Sequence, residues 1–292
     1  MGRSFASGTT FRTIISYHLR NLCNCMKREI ITSSQNPKIK ELISLQEKSR
    51  ARKEKGLFVV EGRREFEHCI RSGFKVRTAF VCSEIIDSQW IDTVLAGSDS
   101  LVVDLPAALY QKVAYRSGTE GIVAEVECRQ RSLESLPLGP EPLIVVLESV
   151  EKPGNLGAVL RSADAAGADA VIVCDPLTDL YNPNLIRSSI GAVFTVPVVT
   201  ASSEETIKWL KDNNIQILTA QLQDSQWYYD TSMLGPTAIV MGTESTGLTQ
   251  IWRNAADAHI RIPMLGRLDS LNVSVSAAIL LFEAVRQRNI IH

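Results

Sequence analysis

The sequence predicts two α/β units in tandem: a small one in front, and behind it a larger, mostly parallel sheet covered by helices. Three observations carry this reading. Strand-like and helix-like patterns alternate along nearly the whole chain, the order expected of an α/β architecture. Several later strands, residues 143–147 and 170–174 among them, are unbroken apolar runs, as in parallel strands covered on both faces. Between the two parts, residues 132–142 (SLESLPLGPEP) hold three prolines and no apolar periodicity, which marks a boundary. The expected organisation is an extension over 1–25, a front unit over 26–129, a linker over 130–142 and a second unit over 143–292.

The elements follow in order. Residues 1–28 contain five Lys/Arg and no acid. They read either as an organellar presequence or as an over-long start preceding Met26, and the second is favoured because structured patterning begins directly after Met26. From Pro37 the spacing of Ile39, Leu42, Ile43 and Leu45 is helical. A basic run, residues 48–55, ends at Gly56. Strands are expected at 57–61, 76–81, 101–103 and 121–127, with helices at 65–72 and around 106–113. In the second unit strands are expected at 143–147, 170–174, 195–199, 215–220, 237–241 and 259–262. Helices are expected at 155–166, 183–189, 204–213, 248–255 and 272–288. The last is apolar on almost every face over 273–282, so it should be buried all round, with a subunit interface as one of its covers.

Composition bounds the function. The 292 residues, 45% apolar and 22% charged, suit one large domain or two of roughly 100–200 residues, with a sizeable core. No apolar run reaches the ~18 residues that span a bilayer. Six cysteines are scattered, and Cys82 and Cys174 sit in strand-like runs, which fits buried thiols in a reduced, cytoplasmic protein, or an organellar matrix protein if residues 1–25 are a presequence. The formal charge of −1 hides an asymmetry: residues 1–77 carry 17 Lys/Arg against 7 Asp/Glu, residues 78–292 carry 14 against 25. Such a front end fits either a polyanion partner or a solvated helix surface. Walker A, GxGxxG, HExxH and paired CxxC patterns are all missing, and the four histidines build no triad, so hydrolase, kinase, dehydrogenase and metal-site readings lack their parts.

Three segments at predicted strand ends stand out, where open α/β sheets hold ligands. The first, ESVEKPGNLG at 148–157 with Arg161 beyond, turns into a helix whose free N–H groups suit an anion; Asn155 as a plain N-cap is the structural alternative. The second, IVMGTESTGL at 239–248, places Gly242 and Gly247 around Glu244, and a capping turn would explain it equally. The third, IPMLGRLDSLNVS at 262–274, runs into the apolar helix. Ser270 and Asn272 suit its cap, and the leucines beside Gly266 suit an apolar pocket with backbone contacts.

Together the three segments resemble the motifs of the SpoU (TrmH-type) ribose 2′-O-methyltransferases of the SPOUT superfamily, in order and spacing. The front part, from Asn36-Pro37 through Glu61-Gly62, looks like the substrate-binding domain that precedes the catalytic domain in many members. The likeness covers roughly residues 30–290. It implies a small L30e-like α/β domain before a trefoil-knotted α/β sheet. It implies S-adenosyl-L-methionine as cofactor, held at Gly242, Ile262 and Leu271 and more weakly at Ala220, and a homodimer through the catalytic domain. It also implies methyl transfer to a ribose 2′-hydroxyl of RNA, ribosomal RNA before tRNA, with a non-catalytic RNA-binding protein on the same fold as the remaining alternative. Asn155, Arg161, Glu244, Ser270 and Asn272 match the catalytic motif positions. The family ties the arginine to activating the hydroxyl. A guanidinium stays charged in proteins, so Arg161 is expected to clamp phosphate and stabilise charge rather than act as a base. Lys48, Arg50, Arg52, Lys53, Lys55, Arg63 and Arg64 are then expected to track the RNA backbone.

Overall fold

The computed structural model describes residues 27–115, 120–243 and 246–289. The front unit is a mixed five-stranded sheet, β1 (Lys27–Ile30), β2 (Leu57–Glu61), β3 (Val76–Val81), β4 (Leu101–Asp104) and β5 (Ile122–Glu127), in the order β1-β4-β3-β5-β2. β1, β4 and β3 run parallel, and β5 is antiparallel to both β3 and β2. Helix α1 (Pro37–Glu47) begins where Asn36 Oδ1 accepts the Lys38 N–H at 2.9 Å and proline fills the first helical position. The basic run proves helical, α2 (Ser49–Lys55), and stops at Gly56 in the left-handed conformation, φ 62°. α3 (Arg63–Arg71), α4 (Ser88–Val94) and α5 (Ala107–Val113) complete the unit. β1 and α4 carry no periodic apolar signal strong enough to be expected from sequence.

The second unit is an all-parallel seven-stranded sheet. Its strands are β6 (Leu143–Glu148), β7 (Ala170–Cys174), β8 (Val198–Ala201), β9 (Gln216–Ala220), β10 (Gln226–Trp227), β11 (Thr237–Met241) and β12 (Ala258–Arg261). Their order is β10-β12-β9-β11-β6-β7-β8. Its helices are α6 (Pro153–Ala165), α7 (Pro183–Ser189), α8 (Ala192–Thr195), α9 (Ser203–Asp212), α10 (Gln250–Ala255) and α11 (Val273–Asn289). The strand expected at 195–199 starts later. Pro197 has no N–H to give a ladder, so pairing with β7 begins at its carbonyl, which accepts from Val171 N at 2.9 Å. The residues before it close a helical turn instead. Helix α6 starts at Pro153 rather than Asn155, with proline again in the first turn and Lys152 as an N-cap that makes no side-chain capping bond. Asn155 is therefore not a cap.

Two cores flank the large sheet, and one of them runs on into the front unit. Phe58 of β2 stacks on Tyr181 at 4.2 Å between centroids and on Phe194 at 5.8 Å. The joint corrects one expectation. Arg52 does not face RNA: it is 3% exposed, its Nε donates to Asp179 Oδ2 at 2.7 Å, and its Nη1 donates to the carbonyls of Leu45 at 2.6 Å and Gln46 at 3.2 Å. Helical periodicity turns Arg52 inward while Arg50 and Lys53 point out. Close packing of α6 on α7 requires Gly157, where a Cβ would stand 2.0 Å from Ser188 Oγ and 2.8 Å from Ser189 N.

Helix α11 is not buried all round within one chain. Val273, Ala277, Leu280, Leu281 and Ala284 are buried, whereas Val275 and Phe282 are 46% and 47% exposed. No helix among the described residues is long and apolar enough to cross a membrane. Cys69, Cys82, Cys128 and Cys174 are free, and burial pushes the Cys128 and Cys174 thiols up to about 11 and about 12, so both stay protonated.

Candidate active site

The carboxyl ends of β9, β11 and β12 open into a cavity of about 340 Å³, closed on the far side by the start of α11. Ala220, Gly242, Ile262 and Leu271 all line it, as does Ser270, so five of the expected positions meet in one place. The turn after β11 forms part of its wall. Gly247 N donates to Thr243 O at 3.1 Å, and Thr246 N donates to Thr243 Oγ1 at 3.0 Å. A Cβ on Gly242 would lie 2.3 Å from the Gly247 carbonyl and 2.6 Å from Leu248 N, so only glycine lets the turn fold back. The turn is tied to the sheet by Glu148, buried at the end of β6. Its carboxylate accepts from Thr249 N at 2.8 Å, from Thr249 Oγ1 at 2.5 Å and from Ser203 Oγ at 3.4 Å. Trp252 Nε1, fully buried, donates to the same Ser203 oxygen at 3.0 Å. These bonds satisfy a carboxylate that burial alone would penalise.

A second, smaller pocket of about 160 Å³ adjoins the first. Gly242, Thr243 and Val273 are common to both, and Val150, Glu151, Lys152 and Asn155 complete it. It sits at the N-terminal turn of α6, where Pro153 has no N–H, Asn155 N and Leu156 N donate to the Lys152 carbonyl at 3.1 Å and 3.2 Å, and the Gly154 N–H has no backbone acceptor among the described residues. Asn272 Nδ2 donates to Asn155 Oδ1 at 3.2 Å, while Asn272 Oδ1 caps α11 by accepting Ser274 N at 3.0 Å and Ser274 Oγ at 2.6 Å. Residues 117 positions apart in sequence thus meet at the smaller pocket, which Asn155 lines. Arg161 is exposed on α6, one and a half turns beyond Asn155, and lines neither pocket. Glu244 lies outside the described residues.

Lys48, Arg50, Lys53, Lys55, Arg63 and Arg64 are exposed on the front unit. Arg50 pairs with Glu54 at 2.6 Å, Lys55 pairs with Glu41 at 3.1 Å, and the Arg63 guanidinium lies 4.6 Å from the Trp90 ring centroid. Polar residues that the sequence reading missed also line the larger cavity, among them Gln221, Gln223, Arg253, Arg261 and Asp269. Gln221 follows the strand expected at 215–220 and Arg261 lies near the end of the one expected at 259–262, so position in the fold was their only signal. Arg253 sits inside α10 and had none.

The chain has known relatives. Residues 142–282 match the model of the SpoU rRNA methylase family, and residues 36–124 match that of the MRM3-like substrate-binding domain. It is 31% identical over 267 residues to the 23S rRNA (uridine(2479)-2′-O)-methyltransferase of Streptomyces viridochromogenes, covering 88% of this chain and 92% of that protein. It is 39% identical over 211 residues to the 23S rRNA (guanosine-2′-O-)-methyltransferase RlmB of Pectobacterium atrosepticum, covering 69% of this chain and 86% of that one. The crystal structure of an AdoMet-bound rRNA methyltransferase from Sinorhizobium meliloti superposes with a TM-score of 0.81 at 30% identity, over 89% of this chain and 98% of that one. A parallel sheet with two joined pockets at its carboxyl edge, motifs at the cavity wall and matches along both units lead to one conclusion: the chain belongs to the SpoU rRNA methylase family.

Proposed function

We propose that this chain transfers the methyl group of S-adenosyl-L-methionine to a ribose 2′-hydroxyl of large-subunit (23S-type) ribosomal RNA. The observation that carries this is the shared wall: a cavity of nucleoside size meets a polar pocket at Gly242, Thr243 and Val273. A donor in one and an acceptor in the other would face each other across that wall. The larger cavity fits the cofactor on its own chemistry. Gln221 Oε1 is buried there without a hydrogen-bond partner, an acceptor placed for an amino or hydroxyl group. When bound, the cofactor supplies an already activated methyl group, so the chain has only to position and polarise.

Asn155, held by Asn272, orients the ribose in the smaller pocket, and the Gly154 N–H and Lys152 at the start of α6 receive the neighbouring phosphate. Arg161 contacts the RNA from outside the pockets, as a charged clamp that favours the developing alkoxide rather than as a base. Ser270 and Glu244 order the loops around the reacting groups. The exposed cations Lys48, Arg50, Lys53, Lys55, Arg63 and Arg64 hold the RNA backbone, in a reducing compartment that keeps the four thiols free. The chain works as a homodimer, in which a second copy covers Val275 and Phe282 of α11 and the leucines of the loop before it, Leu265 (98% exposed) and Leu268 (76% exposed).

Incubation with methyl-labelled S-adenosylmethionine and total RNA, followed by size separation and alkaline hydrolysis, tests the reading. Label in large ribosomal RNA at alkali-resistant linkages is the expected result. Label confined to tRNA would overturn the substrate, and no label in any RNA would overturn the activity.

A further inference from the structure

Arg253 combines three features. It lines the larger cavity. Its Nε is buried and has no hydrogen-bond partner, and its side chain forms no hydrogen bond or ion pair among the described residues. Its Nη2 lies 4.0 Å from where a Cβ on Gly247 would stand, which places the guanidinium over the turn that folds back on Gly242. Gly242 belongs to the wall shared by the two pockets, so this cation sits beside the turn that builds that wall.

The charge makes the arrangement informative. Guanidinium does not lose its proton in proteins. The cofactor carries a sulfonium and an ammonium, and its one anionic group is the carboxylate of the methionyl arm. A half-buried cation facing that ligand either pairs with the carboxylate or repels the whole molecule. The cavity's other guanidinium, on Arg261, also has a buried Nε without a hydrogen-bond partner, but it lies over the face of Trp227, 4.3 Å from its centroid, which already stabilises its charge. Asp269 is the acidic side chain among the described lining residues, and it suits the ammonium.

We infer that Arg253 receives the methionyl carboxylate of S-adenosylmethionine and so sets the cofactor's orientation in the cavity. This rests on the cofactor reading above and names the part of the ligand that the chain reads by charge. A purine nucleoside without the carboxylate would still fill the apolar and backbone part of the site, but with less affinity and no fixed arm.

The experiment is a thermodynamic cycle by isothermal titration calorimetry on the full chain. Wild type, Arg253→Gln and Arg253→Lys are each titrated with S-adenosylmethionine and with its decarboxylated analogue, which lacks only the carboxylate. A charge-assisted pair of this kind predicts that wild type prefers S-adenosylmethionine by roughly 10- to 100-fold. Arg253→Gln should lose about that factor for S-adenosylmethionine, change little for the analogue, and so erase the preference; Arg253→Lys should recover part of it. A wild type that binds both ligands alike overturns the inference without any variant, and leaves the cofactor assignment standing. An equal fall for both ligands in Arg253→Gln, or no fall for either, overturns it too. Failure of wild type to bind either ligand would remove the cofactor reading and this inference together.

Discussion

Arg52 offers the sharpest test, because sequence and structure give it different work. A cation on the RNA surface would neutralise a phosphate, and its loss would lower the salt dependence of binding by about 0.7–0.9 in log affinity per log salt. In the structure it is a buried joint. Its side chain is 4% exposed and that of Asp179 14%, and the pair bridges the front unit to the loop before α7. Arg52→Ala removes three hydrogen bonds at once and strands the Asp179 carboxylate and the carbonyls of Leu45 and Gln46. Losing one partner of a buried ion pair costs about 3–5 kcal/mol. Replacing both partners by apolar residues of similar volume, Arg52→Met with Asp179→Leu, should restore much of that loss, because no charge is left without a partner. Urea denaturation of wild type, Arg52→Ala and the double variant, with RNA binding measured across a salt series, separates the readings. A variant Arg52→Ala that keeps its stability within about 0.5 kcal/mol and lowers the salt slope would refute the structural argument.

Three further outcomes are expected. Gly157→Ala should destabilise by about 1–3 kcal/mol or more, since the added Cβ meets Ser188 and the Ser189 backbone at the α6–α7 contact; unchanged urea midpoints would contradict that contact. Glu125, buried on β5, is raised to about 7, by desolvation first and by the Glu41 carboxylate second. Its native form holds a proton that the unfolded chain loses near 4.5, so stability falls as pH rises between about 4.5 and about 7. Glu125→Gln should therefore gain about 2–3 kcal/mol over wild type at about pH 8 and little at about pH 5, as measured by denaturation at both. Asn272→Ala removes the α11 cap and the hold on Asn155, so it should cost about 1 kcal/mol of stability. In single-turnover assays the same variant should lose roughly 10²-fold in methyl transfer, a larger effect than on cofactor binding.

Local chemistry made much of this protein legible from its sequence. The segments expected as strands at 57–61, 76–81, 170–174 and 237–241 became strands over those same residues, because short runs rich in β-branched residues between turn signals favour the extended chain. The helix expected at 183–189 became α7 over those residues, where Asn182 Oδ1 caps it by accepting Asn184 N at 2.9 Å. The family resemblance carried by the three motif segments implied which positions would meet, and Ala220, Gly242, Ile262, Ser270 and Leu271 share one cavity. Tertiary packing decided the rest. Whether Arg52 meets solvent depends on what the opposite unit offers at Asp179, more than a hundred residues away, and helical phase alone cannot say. Arg253 and Gln221 carry no local mark, because a cavity wall is assembled from separate strand ends and its chemistry exists only once those ends are brought together. The apolar α11 likewise encodes that it must be covered, while the folded chain determines which face it covers itself and leaves Val275 and Phe282 at the surface. The sequence by itself determined most of the elements and their order, because these rest on short-range sterics and hydrophobic periodicity, while weakly patterned pieces such as β1, α4 and β10 escaped it; the tertiary structure alone decided which charges are buried and which side chains share a wall, because those depend on contacts between distant segments.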